Sequence, residues 1–257
     1  MPTTPKSLPL LPHGEMQQLF ENLWFVKGQV KMPMLLPVKF SRSMTIVRNP
    51  SNRELTLINS MRLSDSALAE LEKLGRITQV IRIGGFHGRD DGFYRERYGA
   101  KIFAIAGQTY ARKMKVPTDV DVGYMQPDAW LTEESELPLE DGELKIFKTC
   151  HPPEAALLLK REGGILITGD SLQNTAQADE FVNFVARKMM GKMGFFKAYN
   201  VGPGWLQFAK PAKAEVRSLL DLDFAHVLPG HGDPVINDAK EKYRAALEGE
   251  LKGCHEE

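Results

Sequence analysis

The sequence predicts a single α/β domain built on mixed sheets, and three observations carry that reading. Short β-branched or aromatic runs alternate with helical stretches along most of the chain, the rhythm of an α/β layer. A hairpin interrupts that alternation, which argues for a mixed rather than a purely parallel sheet. Four loops rich in Gly or Pro, each at the end of an expected strand, carry a histidine or an aspartate. Together, strand ends of this kind are where a rigid sheet can converge residues distant in sequence.

The elements follow in order. Residues 1–15 are proline-rich and read as an irregular arm, with 16–257 as one domain. "LWFVKG" (23–28) and "SMTIVRN" (43–49) are strands, and "ELTLINS" (54–60) is a strand that ends at Asn/Ser punctuation. "SDSALAELEKLG" (64–75) has the grammar of a helix: Ser64 or Asp65 to cap it, apolar residues at 67, 68, 71 and 74, and Gly75 to stop it. "ITQVIRI" (77–83) is the next strand, followed by a helix over "DDGFYRERYG" (90–99) and a strand over "AKIFAIA" (100–106). Beyond the polar stretch 114–143, "GELKIFKTC" (142–150) is a strand and "AALLLKREGGILITGD" (155–170) is two apolar arms around a charged Gly-Gly turn. Helices are expected over 177–194, 213–223 and 238–253, the last capped by Asp238, with a strand at "FAHVLPG" (224–230).

Composition narrows the partners. The 257 residues include 33 basic and 33 acidic side chains, so neither a nucleic acid nor an anionic membrane surface is an expected partner. Cys150 and Cys254 are the only cysteines, too few for a disulfide framework or a paired-cysteine metal knuckle. No apolar run approaches the about 18 residues of a spanning helix, and the N-terminus reads poorly as a signal peptide, so a cytoplasmic location is expected.

The four loops are "GGFHGRDDG" (84–92) with His87, Asp90 and Asp91, "KTCHPPE" (148–154) with His151, "LITGDSL" (166–172) with Asp170, and "VLPGHGDP" (227–234) with His231. Imidazole and carboxylate suit zinc, iron and manganese. Taken singly, each has a structural reading: a surface histidine, an N-cap, a solvated turn. Their joint occurrence at successive strand ends favours a metal site. Cys150 reads as a small buried residue at a strand end, and His226, within a strand, as structural.

That order of motifs resembles the metallo-β-lactamase-fold superfamily over about residues 20–250. "RIGGFHGRDDGFYRERYGAKIFA" is similar to the segment in which a strand ends in H-x-H-x-D-H and a helix and strand follow. "CHPPEAALLLKREGGILITGDSL" is similar to the segment carrying the next histidine, a hairpin and the metal-bridging aspartate, and "HVLPGHGDPV" to the last histidine loop. The resemblance implies an αββα sandwich of two mixed sheets flanked by helices, with the site at one edge. It also implies departures. Aligned without gaps, the first family histidine falls on Gly85, the second on His87, the aspartate on Arg89 and the third histidine on Asp90; a one-residue slip instead brings in Asp90 and Asp91.

The ligand set implied is therefore His87, His151, Asp170 and His231, with Asp90 as a further carboxylate, around one divalent metal: zinc first, iron or manganese next. The activity implied is hydrolysis of a small ester, thioester, lactone or phosphoester, with Asp90 or Asp91 orienting water or accepting its proton. The alternative is a non-catalytic member that binds or scaffolds. Arg89 could clamp an anionic substrate group or simply pair with Asp90 or Asp91. The Met- and Phe-rich stretch 181–208 reads as core helix, pocket cover or homodimer surface, and "NVGPGW" (200–205) as the segment able to act as a lid.

Overall fold

A computed structural model describes residues 8–32, 36–108 and 126–255. Its largest sheet runs in sequence order: β1 (Gln17–Phe20), β2 (Leu23–Met32), β3 (Val38–Arg48), β4 (Glu54–Ile58), β5 (Arg76–Arg82), β6 (Lys101–Ile105) and β7 (Ala129–Leu131). The first four pair antiparallel in succession; β4, β5 and β6 pair in parallel with α1 (Asp65–Leu74) and α2 (Asp91–Tyr98) as the crossovers, and β7 pairs in parallel with β6. A second sheet has the order β13 (His226–Leu228), β10 (Ile165–Ile167), β9 (Glu154–Leu159), β8 (Gly142–Phe147). A third, of β12 (Lys197–Val201), β11 (Leu172–Thr175) and β14 (His231–Gly232), lies beside the edge of β3, whose Ser43 N–H donates to Gly230 O at 2.9 Å.

The period-2 alternation of apolar strands sets the layers. On β2, Leu23 and Phe25 join Ile81, Leu157 and Ile167 between the two large sheets, while Trp24 and Val26 face Leu68, Leu71 and Tyr94 of α1 and α2. On β9, Ala155, Leu157 and Leu159 face that inter-sheet core, and Ala156 and Leu158 face outward onto Trp205, Val216 and Tyr243. Those residues belong to α4 (Pro203–Phe208), α5 (Lys213–Arg217) and α6 (Ala239–Leu247). The order is helices, sheet, sheet, helices, and both faces of each large sheet are covered.

Local expectations divide by how they were coded. α1 begins where expected, with Ser64 Oγ accepting from Ala67 N. The hairpin pairs Ile165 with Leu159 across its turn. The helix expected over 177–194 is only α3 (Phe184–Lys192), because Asn183 caps it: its side chain accepts from Ala186 N and pins the chain start to β3 through Pro37 O and Lys39 N. The helix expected over 213–223 is α5 followed by a 3₁₀ turn (Ser218–Asp221), and Asp238 precedes α6 in a left-handed conformation with no side-chain cap. β7 and β11 went unread because three- and four-residue strands carry too little alternation to stand out. Of the polar stretch 114–143, residues 114–125 lie outside the described residues.

"NVGPGW" is not a loop over the site. Asn200 and Val201 end β12, Pro203 opens α4, and Trp205 is buried in the helix-side core, so this segment is part of the packed fold. The described part of the N-terminal arm is irregular but anchored. Arg62 and Arg89 donate to the carbonyls of Leu8 and Pro9 at 2.7 Å each, and His13 Nε2 accepts from Ser64 N at 2.8 Å.

Candidate metal centre

Three strand-end loops converge at one edge of the sandwich. His87 follows β5, Asp170 follows β10 and His231 lies in β14, just beyond β13. His231 Nε2 lies 2.9 Å from Asp170 Oδ1, and His87 Nε2 lies 3.4 Å from Asp170 Oδ2. One donor atom from each of the three residues fits within 4.8 Å of the others, and among the described residues this is the one such group of histidine, cysteine or acidic side chains.

Each loop is held by hydrogen bonds to its backbone. Asn59 is the central brace: its Oδ1 accepts from Ile83 N and Gly84 N at 3.2 and 3.1 Å, holding the chain leading to His87. Glycine at 84 leaves room for the imidazole, because a Cβ there would lie 2.4 Å from His87 Cδ2 and displace the ring. The Asp170 turn is fixed by Glu154, whose Oε1 accepts from Ser171 N at 2.7 Å, and by Gly230 N donating to Gly169 O at 3.1 Å. That last bond ties the Asp170 and His231 loops to each other.

The electrostatics follow from burial. Burial works against the Asp170 carboxylate, but the two histidines beside it outweigh that cost and hold its carboxyl well below the usual carboxylate range. Burial likewise works against the His231 imidazolium, and the Asp170 hydrogen bond and charge, with the Ser41 carbonyl, more than offset it and raise the group. Glu154 is fully buried beside Asp170, and burial and the Asp170 charge push its carboxyl up to about 8.

Two observations show that the three residues fit a cation. Asp170 Oδ2 is buried and has no hydrogen-bond partner, a costly state for a carboxylate oxygen. His231 Nδ1 lies 2.6 Å from Ser41 O and donates to it, so Nε2, 2.9 Å from Asp170 Oδ1, is the nitrogen that would serve as a ligand once its own proton is displaced.

The other residues singled out from the sequence lie elsewhere. His151 is exposed, its backbone N–H bonded to Ala209 O, and it is not one of the three. The prolines after it occupy the space beside Gly85, where a Cβ would lie 2.5 Å from Pro152 Cγ. Asp90, expected as a ligand or a proton acceptor, is instead enclosed by arginines. Its Oδ2 takes Arg42 Nη2 and the backbone N–H of Arg62, and its Oδ1 takes Arg89 Nη1 at 2.6 Å. Asp91, the other expected proton acceptor, accepts from Ser60 Oγ at 2.7 Å and pairs with the fully buried Arg82 at 2.9 Å. Both carboxylates open α2 and point into the sheet–helix layer, because neutralising a buried arginine requires a buried anion. Arg89 accordingly takes its ion-pair role. His226 is structural, its Nε2 donating to Glu162 O and its Nδ1 accepting from Asn237 N, and Cys150 is buried.

Asn59, Glu154 and Ser41 were not recognisable from the sequence. Their one signal is position: Asn59 follows β4, Glu154 opens β9 and Ser41 lies within β3 beside the His231 loop, and that is visible only once the strand order is known.

No family model matches the chain, and no curated protein matches it by sequence. Solved structures do. The FIM-1 metallo-β-lactamase of Pseudomonas aeruginosa in its mono-zinc form is 12% identical and superposes over 96% of this chain and 100% of its own, with a TM-score of 0.60. A metallo-β-lactamase of Hirschia baltica is 14% identical, covering 92% and 98% of the two chains with a TM-score of 0.56. ETHE1 of Myxococcus xanthus, also 14% identical, covers 82% of each chain with a TM-score of 0.50. The chain has the metallo-β-lactamase fold.

Proposed function

We propose that this protein is a mononuclear metal-dependent hydrolase acting on a small ester, thioester, lactone or phosphoester, with the ion held by His87, Asp170 and His231. The observation that carries the reading is the buried Asp170 carboxylate set between two imidazoles, with His231 Nε2 2.9 Å from Oδ1 and His87 Nε2 3.4 Å from an Oδ2 that makes no hydrogen bond. A three-ligand site leaves room for water and substrate, and a divalent ion there supplies Lewis acidity and acidifies water at neutral pH.

The chain's own groups do the positioning. Ser41 O holds the Nδ1 proton of His231, and Asn59 and Glu154 fix the loops that carry His87 and Asp170. In this reading Asp90 and Asp91 stabilise the loop through their arginines rather than moving a proton. The partner is a small molecule, consistent with a charge balance that favours no polyanion.

Zinc is the first expectation for the ion. The donor set supports a second reading: two imidazoles and one carboxylate also make the triad that holds ferrous iron in oxygenases.

The test combines a screen of ester, thioester, lactone and phosphoester substrates with elemental analysis of the protein as purified and after reconstitution with zinc, iron or manganese. Hydrolysis that follows zinc content and disappears in Asp170→Ala supports the proposal. Iron binding with oxygen consumption would move the assignment to the second reading. No metal uptake under any condition would leave a non-catalytic binding protein.

A further inference from the structure

Charge is balanced over the chain but not over its surface. No acidic residue occurs between Glu21 and Glu54, a stretch that holds β2 and β3, or between Glu180 and Glu215, a stretch that holds α3. The two stretches pack together. Asn183, the cap of α3, bonds to Pro37 O and to the backbone N–H and C=O of Lys39, and Val38 joins Ala186 and Met190 in a small cluster apart from the three larger cores. The expectation drawn from total charge therefore does not extend to this corner of the molecule.

α3 buries Ala186 and Met190, which leaves Phe184, Arg187, Lys188, Gly191 and Lys192 exposed. Steps of three and four residues make these one continuous stripe along the helix, and Lys197 is exposed just beyond it. Exposed cations on other helices are neutralised: Lys73 of α1 pairs with Glu70, and Arg244 of α6 pairs with Glu241 and Glu248. Among the described residues no carboxylate pairs with Arg187, Lys188, Lys192 or Lys197. Lys188 Nζ instead lies 4.9 Å from the centre of the Phe184 ring. The nearest acids in sequence, Asp179 and Glu180, precede the cap, and Asp179 is paired with Lys27 at 2.9 Å.

The same end of the stripe carries unburied apolar groups. Phe184 is 69% exposed and Leu36 is 63% exposed. Their chain neighbours are in contact, since Asn183 Nδ2 donates to Pro37 O at 2.8 Å. A second copy of the chain would meet this face with like charge, and a soluble polyanion offers no apolar phase for Phe184 and Leu36. An anionic bilayer offers both: headgroup charge for the cations and the acyl boundary for the apolar pair. We propose that the outer stripe of α3, with Leu36 at its end, is a docking surface for an anionic lipid bilayer. The proposal is independent of the hydrolase reading and asks nothing of the metal centre.

The experiment is co-flotation of the full chain with vesicles of phosphatidylcholine alone and of phosphatidylcholine carrying about 30% phosphatidylglycerol. Each is run at low salt, where surface charges act over roughly 30 Å, and at high salt, where they act over roughly 3 Å. The protein should bind the anionic vesicles roughly 100-fold or more tightly than the neutral ones at low salt, and high salt should release it. A basic side chain near an anionic surface contributes about fivefold, so Arg187→Gln with Lys188→Gln should weaken partitioning roughly 25-fold. Lys73→Gln with Arg244→Gln, on other helices, should leave it unchanged. Phe184→Ser should weaken it about 10-fold. In Phe184→Trp the added emission should shift to the blue on anionic vesicles and be quenched by brominated acyl chains. All these changes fall on exposed side chains, so the fold is kept.

Absence of flotation with anionic vesicles at low salt would overturn the proposal. So would flotation that is equal on neutral vesicles, or that is insensitive to the α3 variants. Binding to a double-stranded oligonucleotide as tightly as to anionic vesicles, with Phe184→Ser without effect on either, would make this a surface for soluble polyanions and overturn the proposal as well.

Discussion

Replacing Asp90 by asparagine separates a structural carboxylate from a functional one. The Asp90 side chain is 1% exposed and its main partner, Arg42, 5% exposed; Arg42 Nε already has no hydrogen-bond partner. Arg89, 19% exposed on its side chain, is the second cation held by the same carboxylate. Removing the charge leaves Arg42 buried and uncompensated, which costs about 3–5 kcal/mol in comparable cases. At roughly 2–4 °C per kcal/mol for a domain of this size, the melting midpoint should fall by about 6–20 °C. The assay is thermal unfolding followed by circular dichroism, at fixed metal and protein concentration, with elemental analysis of the folded variant at low temperature. Asp90→Asn should be strongly destabilised yet hold as much metal as the parent. A variant that melts within about 2 °C of the parent, a difference of ~1 kcal/mol or less, but has lost its metal would refute the reasoning and return Asp90 to the ligand set.

Further outcomes follow from the same geometry. Burial opposes the charged form of Asp90, but Arg42 and Arg89 prevail and hold its carboxyl below the ordinary value, so the unfolded chain binds this proton first as pH falls. The stability from this group is present above the unfolded-chain value of ~3.9 and is lost as pH drops through the lower folded value; urea midpoints should fall more steeply in acid for the parent than for Asp90→Asn. Gly85→Ala places a methyl 2.5 Å from Pro152 Cγ and 3.0 Å from Pro153 O, so it should lose about 1–3 kcal/mol in urea unfolding. Asn59→Ala removes the acceptor shared by Ile83 N and Gly84 N and should weaken metal affinity roughly 10–100-fold, measured by competition with a chromophoric chelator, with a smaller effect on melting.

How much of this was legible beforehand depends on the distance over which each feature is encoded. The apolar runs of β2 and β9 and the capped amphipathic run of α1 are local, and they mark a strand in each large sheet and a helix on the outer face of the first. The strand-end positions of His87, Asp170 and His231 were equally local, and sheet topology alone then brings them together. The orientation of the carboxylates in "GRDD" is not local. Asp90 turns toward Arg42, 48 positions earlier, and Asp91 toward Ser60 and Arg82, so no reading of the loop by itself distinguishes a ligand from an ion-pair partner. His151 stands outside the group of three for a related reason: it sits at a strand end, but the prolines after it pack against Gly85 and its side chain is exposed.

The most direct test is the metal content of five single variants compared with the parent: His87→Ala, Asp170→Ala, His231→Ala, His151→Ala and Asp90→Asn, each purified without chelating resin and measured by elemental mass spectrometry. The account predicts that the parent holds close to one equivalent of a divalent metal, that the first three variants lose it, and that His151→Ala and Asp90→Asn keep it. Loss of metal in His151→Ala or Asp90→Asn with retention in any of the first three would contradict the assignment of the site.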